Sequence, residues 1–386
     1  VLAAPHQNQV LRYENVTVPG GQPTFAERGL LVTASGKPVA GTLTFVDWDG
    51  DGRMDVLAEA DSLIAIHRNL GTDRSVAAMA LADGTYLEAN GVPIQFKNPR
   101  TDVADIDSDG DLDLMAGTDE GRVYLFENLG TRTKPVLAMG RMLVYYGYMD
   151  ARASAKVADW DDDGLLDFVV GRYWQRSHWG DEPRVFGRLY KNVGTRTAPR
   201  FEARDAYHGA PYTEGFQPCD AVRQNGVRAA DWDGDDRTDL MVGDSDGFVW
   251  FFRSLANGPF SLFETPLRLQ AEGRPLKVYG EEMEGRIAGY ARPEVADWNN
   301  DGRLDLLVAD GRAWLTLFLN LGRPGLPALS SGLRVTARGR PIDGTARGSV
   351  LVADWDGDGK KDVIFAMVGE GGSPQHDWPA RKPDPG

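Results

Sequence analysis

The stretch Asp354-Trp-Asp-Gly-Asp-Gly-Lys-Lys-Asp362 is the most informative part of the sequence, because five near copies of it precede it. Those copies begin at Asp47, Asp105, Asp159, Asp231 and Asp297. Each copy offers side-chain oxygens at positions 1, 3, 5 and 9, and five of the six have Gly at position 6, where a loop can turn sharply. Carboxylates this close together repel one another unless a cation lies among them, and a set of oxygen ligands suits a hard cation. The repeat therefore predicts calcium sites.

The predicted calcium ligands are Asp47, Asp49, Asp51 and Asp55; Asp105, Asp107, Asp109 and Asp113; Asp159, Asp161, Asp163 and Asp167; Asp231, Asp233, Asp235 and Asp239; Asp297, Asn299, Asp301 and Asp305; and Asp354, Asp356, Asp358 and Asp362. Two copies depart from the pattern. Asn299 replaces an Asp but keeps an oxygen, and Asp236 replaces the turn Gly, which makes the Asp231 copy the weakest candidate. The alternative is six acidic turns that hold no ion.

The residues that flank the acidic copies predict β-strands. Val-Ala-Asp-Trp leads into several copies and runs such as Asp-Leu-Leu-Val-Ala lead out of them, so each copy joins two strands of a hairpin rather than two helices. A turn and another apolar run follow, ending in a phrase such as Leu125-Phe-Glu-Asn-Leu-Gly-Thr131. Four antiparallel strands in a repeat of this length are typical of a propeller blade. The expected fold is all-β, a single β-propeller of six blades.

The last acidic copy has no such phrase after it, and the missing phrase stands at the other end of the chain in Val10-Leu-Arg-Tyr-Glu-Asn-Val16. We therefore expect the N-terminal strands to complete the last blade and close the ring, which removes open sheet edges. Residues 1–370 would form the propeller, with residues 1–45 completing the last blade, and residues 371–386 a Pro- and Gly-rich tail. Seven blades are the alternative, if residues 1–45 hold a blade without an acidic loop.

The combination of Val-Ala-Asp-Trp-Asp-Gly-Asp-Gly-x-x-Asp with Glu-Asn-Leu-Gly-Thr resembles the FG-GAP or VCBS repeat, over nearly the whole chain. That repeat is known from integrin α-subunit propellers, from fungal and bacterial lectin propellers and from some polysaccharide lyases. The resemblance implies a calcium-binding β-propeller. It leaves adhesion, sugar binding and catalysis open, because one scaffold carries all three.

Composition and charge limit the compartments and the partners that the sequence predicts. The formal net charge is −15, but six divalent ions would offset most of it, so the overall charge excludes few partners. No run of 18 apolar residues predicts a membrane span, and the absence of a phosphate-binding loop gives no reason to expect a nucleotide or nucleic-acid partner. Loops of this kind fill where calcium is millimolar, which predicts a secreted, periplasmic or cell-surface protein. The single cysteine, Cys219, excludes an intrachain disulfide.

Arginines stand shortly before five of the acidic copies, at Arg100, Arg152, Arg223, Arg292 and Arg347. Inner strands line the axial channel of a propeller, so these guanidiniums are candidates to ring its mouth on the face opposite the acidic hairpins. An Arg side chain pairs with a carboxylate by two parallel hydrogen bonds, which suits an acidic sugar. The alternative is that each Arg bonds a carbonyl or carboxylate of a neighbouring blade.

Two long insertions are expected on the same face, between strands of the third blade and at the entry to the fourth. They supply the candidate catalytic residues Arg172, Tyr173, Arg176, His178, Tyr207 and His208, and the candidate sugar-stacking residues Trp174, Trp179 and Tyr212. Tyr146, which lies outside both insertions, is a further candidate for sugar stacking. A His or Tyr near Arg side chains is pushed toward the form that a general base requires. β-Elimination of a uronate needs such a base and a cation to hold the carboxylate. A solvated surface His is the alternative for His178.

The leading hypothesis is a secreted, calcium-stabilised propeller that binds carbohydrate, specifically an acidic, uronate-containing glycan. Whether it is an enzyme stays open at this stage; a polysaccharide lyase is favoured modestly, because the His, Tyr and Trp cluster occurs once rather than in every blade. The alternative is a lectin or an adhesion propeller with a protein partner.

Overall fold

The computed structural model describes residues 10–17, 23–60, 62–71, 81–145, 153–171, 187–205, 227–244, 247–255, 263–264, 266–278, 291–310, 314–337, 339–342, 349–354 and 359–366. Within these ranges the chain forms strands β1 to β30 in chain order and no helix. None of the described segments is a helix long and apolar enough to cross a membrane.

The strands form six four-stranded antiparallel blades arranged in a ring, a six-bladed β-propeller. Blade 1 contains β3 (Thr42–Val46), β4 (Asp55–Ala60), β5 (Leu63–His67) and β6 (Thr85–Tyr86). Blade 2 contains β9 (Arg100–Ala104), β10 (Asp113–Gly117), β11 (Arg122–Phe126) and β12 (Arg141–Tyr145). Blade 3 contains β13 (Ser154–Ala158), β14 (Asp167–Gly171), β15 (Gly187–Asn192) and β16 (Phe201–Asp205). Blade 4 contains β17 (Val227–Ala230), β18 (Asp239–Gly243), β19 (Val249–Phe252) and β20 (Leu267–Arg268). Blade 5 contains β23 (Arg292–Ala296), β24 (Asp305–Ala309), β25 (Leu315–Phe318) and β26 (Leu333–Arg334).

Blade 6 is built from both ends of the chain. It contains β29 (Ser349–Ala353), β30 (Asp362–Ala366), β1 (Val10–Asn15) and β2 (Thr24–Leu30). β1 pairs antiparallel with β30 on one side and with β2 on the other, so the N-terminal strands occupy the third and fourth places of this blade. The predicted ring closure and the count of six blades are confirmed. The tail from residue 371 lies outside the described residues.

The hydrophobic core lies between the blades. Each of six buried clusters draws its side chains from two neighbouring blades, and together they run around the whole ring. In the cluster of blades 1 and 2, for example, Trp48 and Leu57 pack with Leu114 and Phe126. The Trp at position 2 of the acidic repeat is predicted from its periodicity to be a core residue, which is confirmed where the structure describes it, at Trp48, Trp160, Trp232 and Trp298. Trp355 lies outside the described residues.

Three small hairpins follow the fourth strands and were not predicted. They are β7 (Glu88–Ala89) with β8 (Val92–Pro93), β21 (Gln270–Ala271) with β22 (Arg274–Pro275), and β27 (Thr336–Ala337) with β28 (Arg340–Pro341). In the first, Asn90 and Gly91 both have positive φ, as a tight two-residue hairpin turn requires. Ala89 then bridges to Leu137 of blade 2, so the hairpin ties blade 1 to its neighbour.

Candidate functional site

The acidic copies form the loops between the first and second strands of the blades, as predicted. In blade 1 the Asp47 carboxylate accepts hydrogen bonds from the backbone N–H groups of Asp51 and Gly52, both 3.0 Å long. The residue at position 6 is in the left-handed region, with φ 85° at Gly52. Asp236 takes the same conformation with φ 65°, and its N–H reaches Asp231 at 3.0 Å. The loss of the Gly therefore leaves the backbone of the blade 4 loop unchanged.

The Asp at position 9 fastens each loop to the blade. In blade 2 the two oxygens of Asp113 accept backbone N–H bonds from Ile106 at 2.9 Å and from Asn128 at 2.8 Å. Asp55, Asp167, Asp239 and Asp305 accept the equivalent pairs of bonds, and Asp362 accepts the one from Asn15. Burial raises the pKa of Asp113 to about 7, because desolvation disfavours the charged form more than these bonds favour it. A cation bound nearby would favour the charged form of Asp113 and lower its pKa.

Four loops bring carboxylates together closely enough to hold one metal ion. In each of them, one ligand oxygen from each of three Asp residues lies within 4.8 Å of the other two. The groups are Asp47, Asp49 and Asp55; Asp105, Asp107 and Asp109; Asp159, Asp161 and Asp167; and Asp231, Asp233 and Asp239. These residues are among the predicted ligands of blades 1 to 4.

Several oxygens in these clusters are buried and have no hydrogen-bond partner, which is costly unless a cation binds them. They are Oδ1 of Asp107, Oδ1 of Asp111, Oδ1 of Asp161 and Oδ1 of Asp233. An all-oxygen donor group of this kind fits a hard divalent cation such as Ca²⁺. Asp111, at position 7 of its loop, was not among the predicted ligands, although its acidity was a readable signal in the sequence.

The loops of blades 5 and 6 differ. In blade 5 the amide of Asn299 donates to Asp301 Oδ2 at 2.8 Å, so a hydrogen bond occupies part of the predicted ligand group. In blade 6, Asp354 accepts the N–H of Gly359 at 3.0 Å, and Asp354 Oδ1 is buried without a hydrogen-bond partner. Asp356 and Asp358 lie outside the described residues.

The opposite face carries part of the predicted arginine ring. Arg100 donates to the Asn98 carbonyl at 3.2 Å and forms a salt bridge with Asp119 at 3.1 Å. Its guanidinium thus has partners within its own blade. Arg292 is buried at the start of β23. Arg152, Arg223 and Arg347 lie outside the described residues, as do the candidates Tyr146, Arg172, Tyr173, Trp174, Arg176, His178, Trp179, Tyr207, His208 and Tyr212.

An exposed aromatic side chain lies on this face in blade 2. Tyr145 ends β12 and is 56% exposed, and the Arg122 guanidinium lies over its ring at 5.1 Å from the centroid. Hydrogen bonding to Tyr124 and Tyr145 raises the pKa of Arg122, so this side chain stays charged. An aromatic ring with a fixed cation beside it can contact the apolar side of a sugar and a carboxylate.

Loops rich in carboxylates, repeated once per blade in a closed ring, define a β-propeller with acidic hairpins that could hold metal ions. The FG-GAP-like repeat profile matches residues 105–170 and 292–365. With the six-bladed ring, these matches support an FG-GAP β-propeller. A comparison with curated proteins gave no significant match.

Solved structures with a similar fold include an Agrocybe aegerita lectin that recognises non-reducing terminal N-acetylglucosamine. It is 18% identical, with a TM-score of 0.53 over 94% of this chain and 85% of the lectin chain. The Photorhabdus luminescens Tc holotoxin pore is 17% identical, with a TM-score of 0.45 over 93% of this chain and 18% of that chain. BBS1N in complex with ARL6DN is 15% identical, with a TM-score of 0.35 over 91% of this chain and 83% of that chain. The lectin shares the propeller fold, which by itself does not carry over its ligand.

Proposed function

We propose that this protein is a calcium-stabilised propeller that binds a carbohydrate on the face opposite the acidic hairpins. The calcium part rests on the four Asp clusters and their buried oxygens without hydrogen-bond partners. The predicted ligands at positions 1, 3, 5 and 9 would hold the ion, and the ion would neutralise carboxylates that repel one another. Calcium of millimolar concentration fits a secreted, periplasmic or cell-surface protein.

Metal removal tests the calcium part. A ligand that binds only the folded state raises its stability by mass action, so Ca²⁺ should raise the melting temperature and excess chelator should lower it. Elemental analysis should confirm that the chelated protein is empty. A melting temperature that is the same with and without Ca²⁺ would contradict the proposal.

The carbohydrate part rests on one observation, the exposed Tyr145 ring held beside Arg122 on the face away from the metal loops. The lectin that shares this fold supports the class of ligand, and the Arg122 charge favours an acidic glycan over a neutral one. We infer that blade 2 and the insertions of blades 3 and 4 form one binding face.

A glycan array, followed by titration calorimetry with each glycan bound, tests this part. Tyr145→Ala should weaken binding by about tenfold or more, since a stacked ring contributes roughly 1 to 2 kcal/mol. Tyr86→Ala is the control, because Tyr86 ends the fourth strand of blade 1 and is 53% exposed. Equal affinities of the two variants would contradict the assignment, and binding to proteins but to no glycan would favour an adhesion propeller.

The enzymatic version of this proposal is β-elimination of a uronate-containing glycan. The sequence supports it through the single cluster of His178, Tyr173, Arg172 and Arg176, with His208 and Tyr207 as a second pair. The His or Tyr would remove the C5 proton beside the carboxylate while an Arg neutralises that carboxylate. The electron pair of the C5–H bond would form the C4–C5 double bond, and the glycosidic oxygen at C4 would leave and take up a proton. Incubation with acidic polysaccharides should then yield an unsaturated uronate that absorbs in the ultraviolet. His178→Ala should abolish turnover and largely retain binding, whereas Arg172→Ala should weaken both.

A further inference from the structure

The six acidic hairpins carry different residues at one structurally equivalent position. The residue at this position directly precedes the Asn or Ser whose backbone N–H bonds the Asp at position 9, and it lies within one residue of the end of the third strand. In blades 1 to 6 it is Arg68, Glu127, Lys191, Arg253, Leu319 and Glu14. Its charge therefore changes from blade to blade, although the backbone around it is the same.

In three of the four clusters a basic side chain from this place lies among the carboxylates. The guanidinium of Arg68 is 3.1 Å from Asp49 and 3.2 Å from Asp55. In blade 4, Arg253 is 2.7 Å from Asp233 and 3.1 Å from Asp235. The ammonium of Lys191 pairs with Asp161 and is 3.1 Å from Asp163. Each of these loops thus has a cation of its own.

The cluster in blade 2 has the opposite arrangement. Glu127 replaces the basic residue and pairs instead with Arg141 at 3.2 Å. Asp111 adds a fifth carboxylate to the loop, is only 5% exposed and has a buried Oδ1 without a hydrogen-bond partner. Asp107 Oδ1 is also buried and has no hydrogen-bond partner. The loops of blades 3 and 4 also have five carboxylates, counting Asp162 and Asp236. Among the four described clusters, however, only this one has no salt bridge to any of its Asp residues.

We propose that these four hairpins form two classes of calcium site, distinguished by the residue before the Asn or Ser that bonds the Asp at position 9. The blade 2 hairpin binds Ca²⁺ tightly, because nothing else neutralises its carboxylates. The hairpins of blades 1, 3 and 4 bind it weakly, because Arg68, Lys191 or Arg253 competes with the ion and holds the loop in its absence. This inference rests on the proposed calcium binding and adds which hairpins need the ion.

Calorimetric titration of chelator-treated full-length protein with Ca²⁺ tests the inference through the number of tight sites. Glu127→Lys copies the blade 3 arrangement and should remove one tight site. Lys191→Glu copies blade 2 and should add one, with an affinity about tenfold or more above that of the weak sites, since one unit charge near the ion reverses sign. Glu88→Lys is the control, because this exposed Glu in β7 gives the same charge change outside the acidic hairpins.

Two results would overturn the inference: a Glu127→Lys variant with the wild-type number of tight sites, or a Lys191→Glu variant that gains none. The second variant tests the proposal even where the first fails to fold. If wild-type protein binds Ca²⁺ and melts at a higher temperature with it, while both variants leave the tight sites unchanged, only the two classes are wrong. If wild-type protein binds no Ca²⁺, the proposed calcium binding is wrong as well.

Discussion

The backbone N–H of Asn15 donates a 2.8 Å hydrogen bond to Oδ1 of Asp362, which lies 347 positions further along the chain. The same bond joins Asn69 to Asp55 and Asn128 to Asp113 within single repeats. The last blade is therefore assembled like the others, although its strands come from opposite ends of the chain. Loss of β1 would remove the strand that separates β30 from β2.

Removal of residues 1–20 should cause aggregation and lower the melting temperature, because β30 and β2 would each lose their pairing with β1 and expose an edge. Size-exclusion chromatography with light scattering measures the association state. Removal of residues 1–9 is the control, since it leaves β1 whole. A monomeric 1–20 deletion with an unchanged melting temperature would show that β1 is not required for closure.

Asp113→Ala and Asp107→Ala should separate the two roles of the loop carboxylates. Asp113 accepts two buried backbone N–H bonds, so its loss should destabilise the protein by roughly 2 to 4 kcal/mol even in excess chelator. Asp107 has a buried oxygen without a hydrogen-bond partner, so its loss should reduce Ca²⁺ affinity and cost little stability in chelator. Urea unfolding with and without Ca²⁺ measures both effects. Equal losses in chelator would contradict the separation.

Glu59 should make the stability depend on pH. It is 7% exposed, its Oε1 accepts bonds from the N–H and the hydroxyl of Thr101 at 2.6 and 2.5 Å, and its Oε2 has no hydrogen-bond partner. Burial raises its pKa from 4.5 to about 7, although the nearby positive charges of Arg100 and Lys156 act in the other direction. The native state therefore holds this proton more tightly than the unfolded chain does.

The contribution of Glu59 is fully present below its unfolded pKa and is lost as the pH rises through its folded pKa. Between pH 4.5 and about 7, wild-type protein should lose up to about 3 kcal/mol more stability than Glu59→Gln, whose amide cannot ionise. Urea unfolding across this range measures the difference. Parallel pH profiles for the two proteins would contradict the prediction.

Gly243→Ala should destabilise the contact between blades 4 and 5. A Cβ atom at Gly243 would lie 1.9 Å from the backbone oxygen of Ala291, so one of the two strands would have to shift. We expect a cost of about 1 to 3 kcal/mol, as for other overpacked sites. The reciprocal change Ala309→Gly, at the same register of β24, adds no atom and should cost less. A variant with the wild-type melting temperature would show that the interface has room for a methyl group.

The sequence predicts the architecture well because each blade repeats its own signals. The acidic loop, the buried Trp and the phrase ending in Asn or Ser all recur with the blade, and Val10–Val16 could be assigned because it carries the same phrase. The small hairpins also have a repeated signal, Ala-x-Gly-x-Pro at residues 89–93, 271–275 and 337–341. That signal lies outside the acidic loop and the phrase on which the prediction depended.

Features that depend on which loops meet in space could not be predicted. Nothing near Glu59 in sequence indicates that it lies against Thr101 of the next blade, and nothing near Arg100 indicates that Asp119 pairs with it. The position of Arg68, Lys191 and Arg253 among the carboxylates likewise follows from strand register. Asp236 stands where the other copies have Gly, yet it adopts the same left-handed conformation, because Asp tolerates left-handed backbone better than most residues do.

The acidic hairpins also contact one another across blades. Arg132 of blade 2 donates to the Asp47 carbonyl in the blade 1 loop at 2.6 Å, and Asn300 of blade 5 donates to the Gly359 carbonyl in the blade 6 loop at 2.9 Å. The N–H of Gly325 in blade 5 reaches the Asp233 carbonyl in the blade 4 loop. Such lateral bonds oppose the sliding of one blade past another. A ligand spanning two blades would therefore meet a platform whose spacing is already set, and would lose less entropy on binding than it would on independently moving blades.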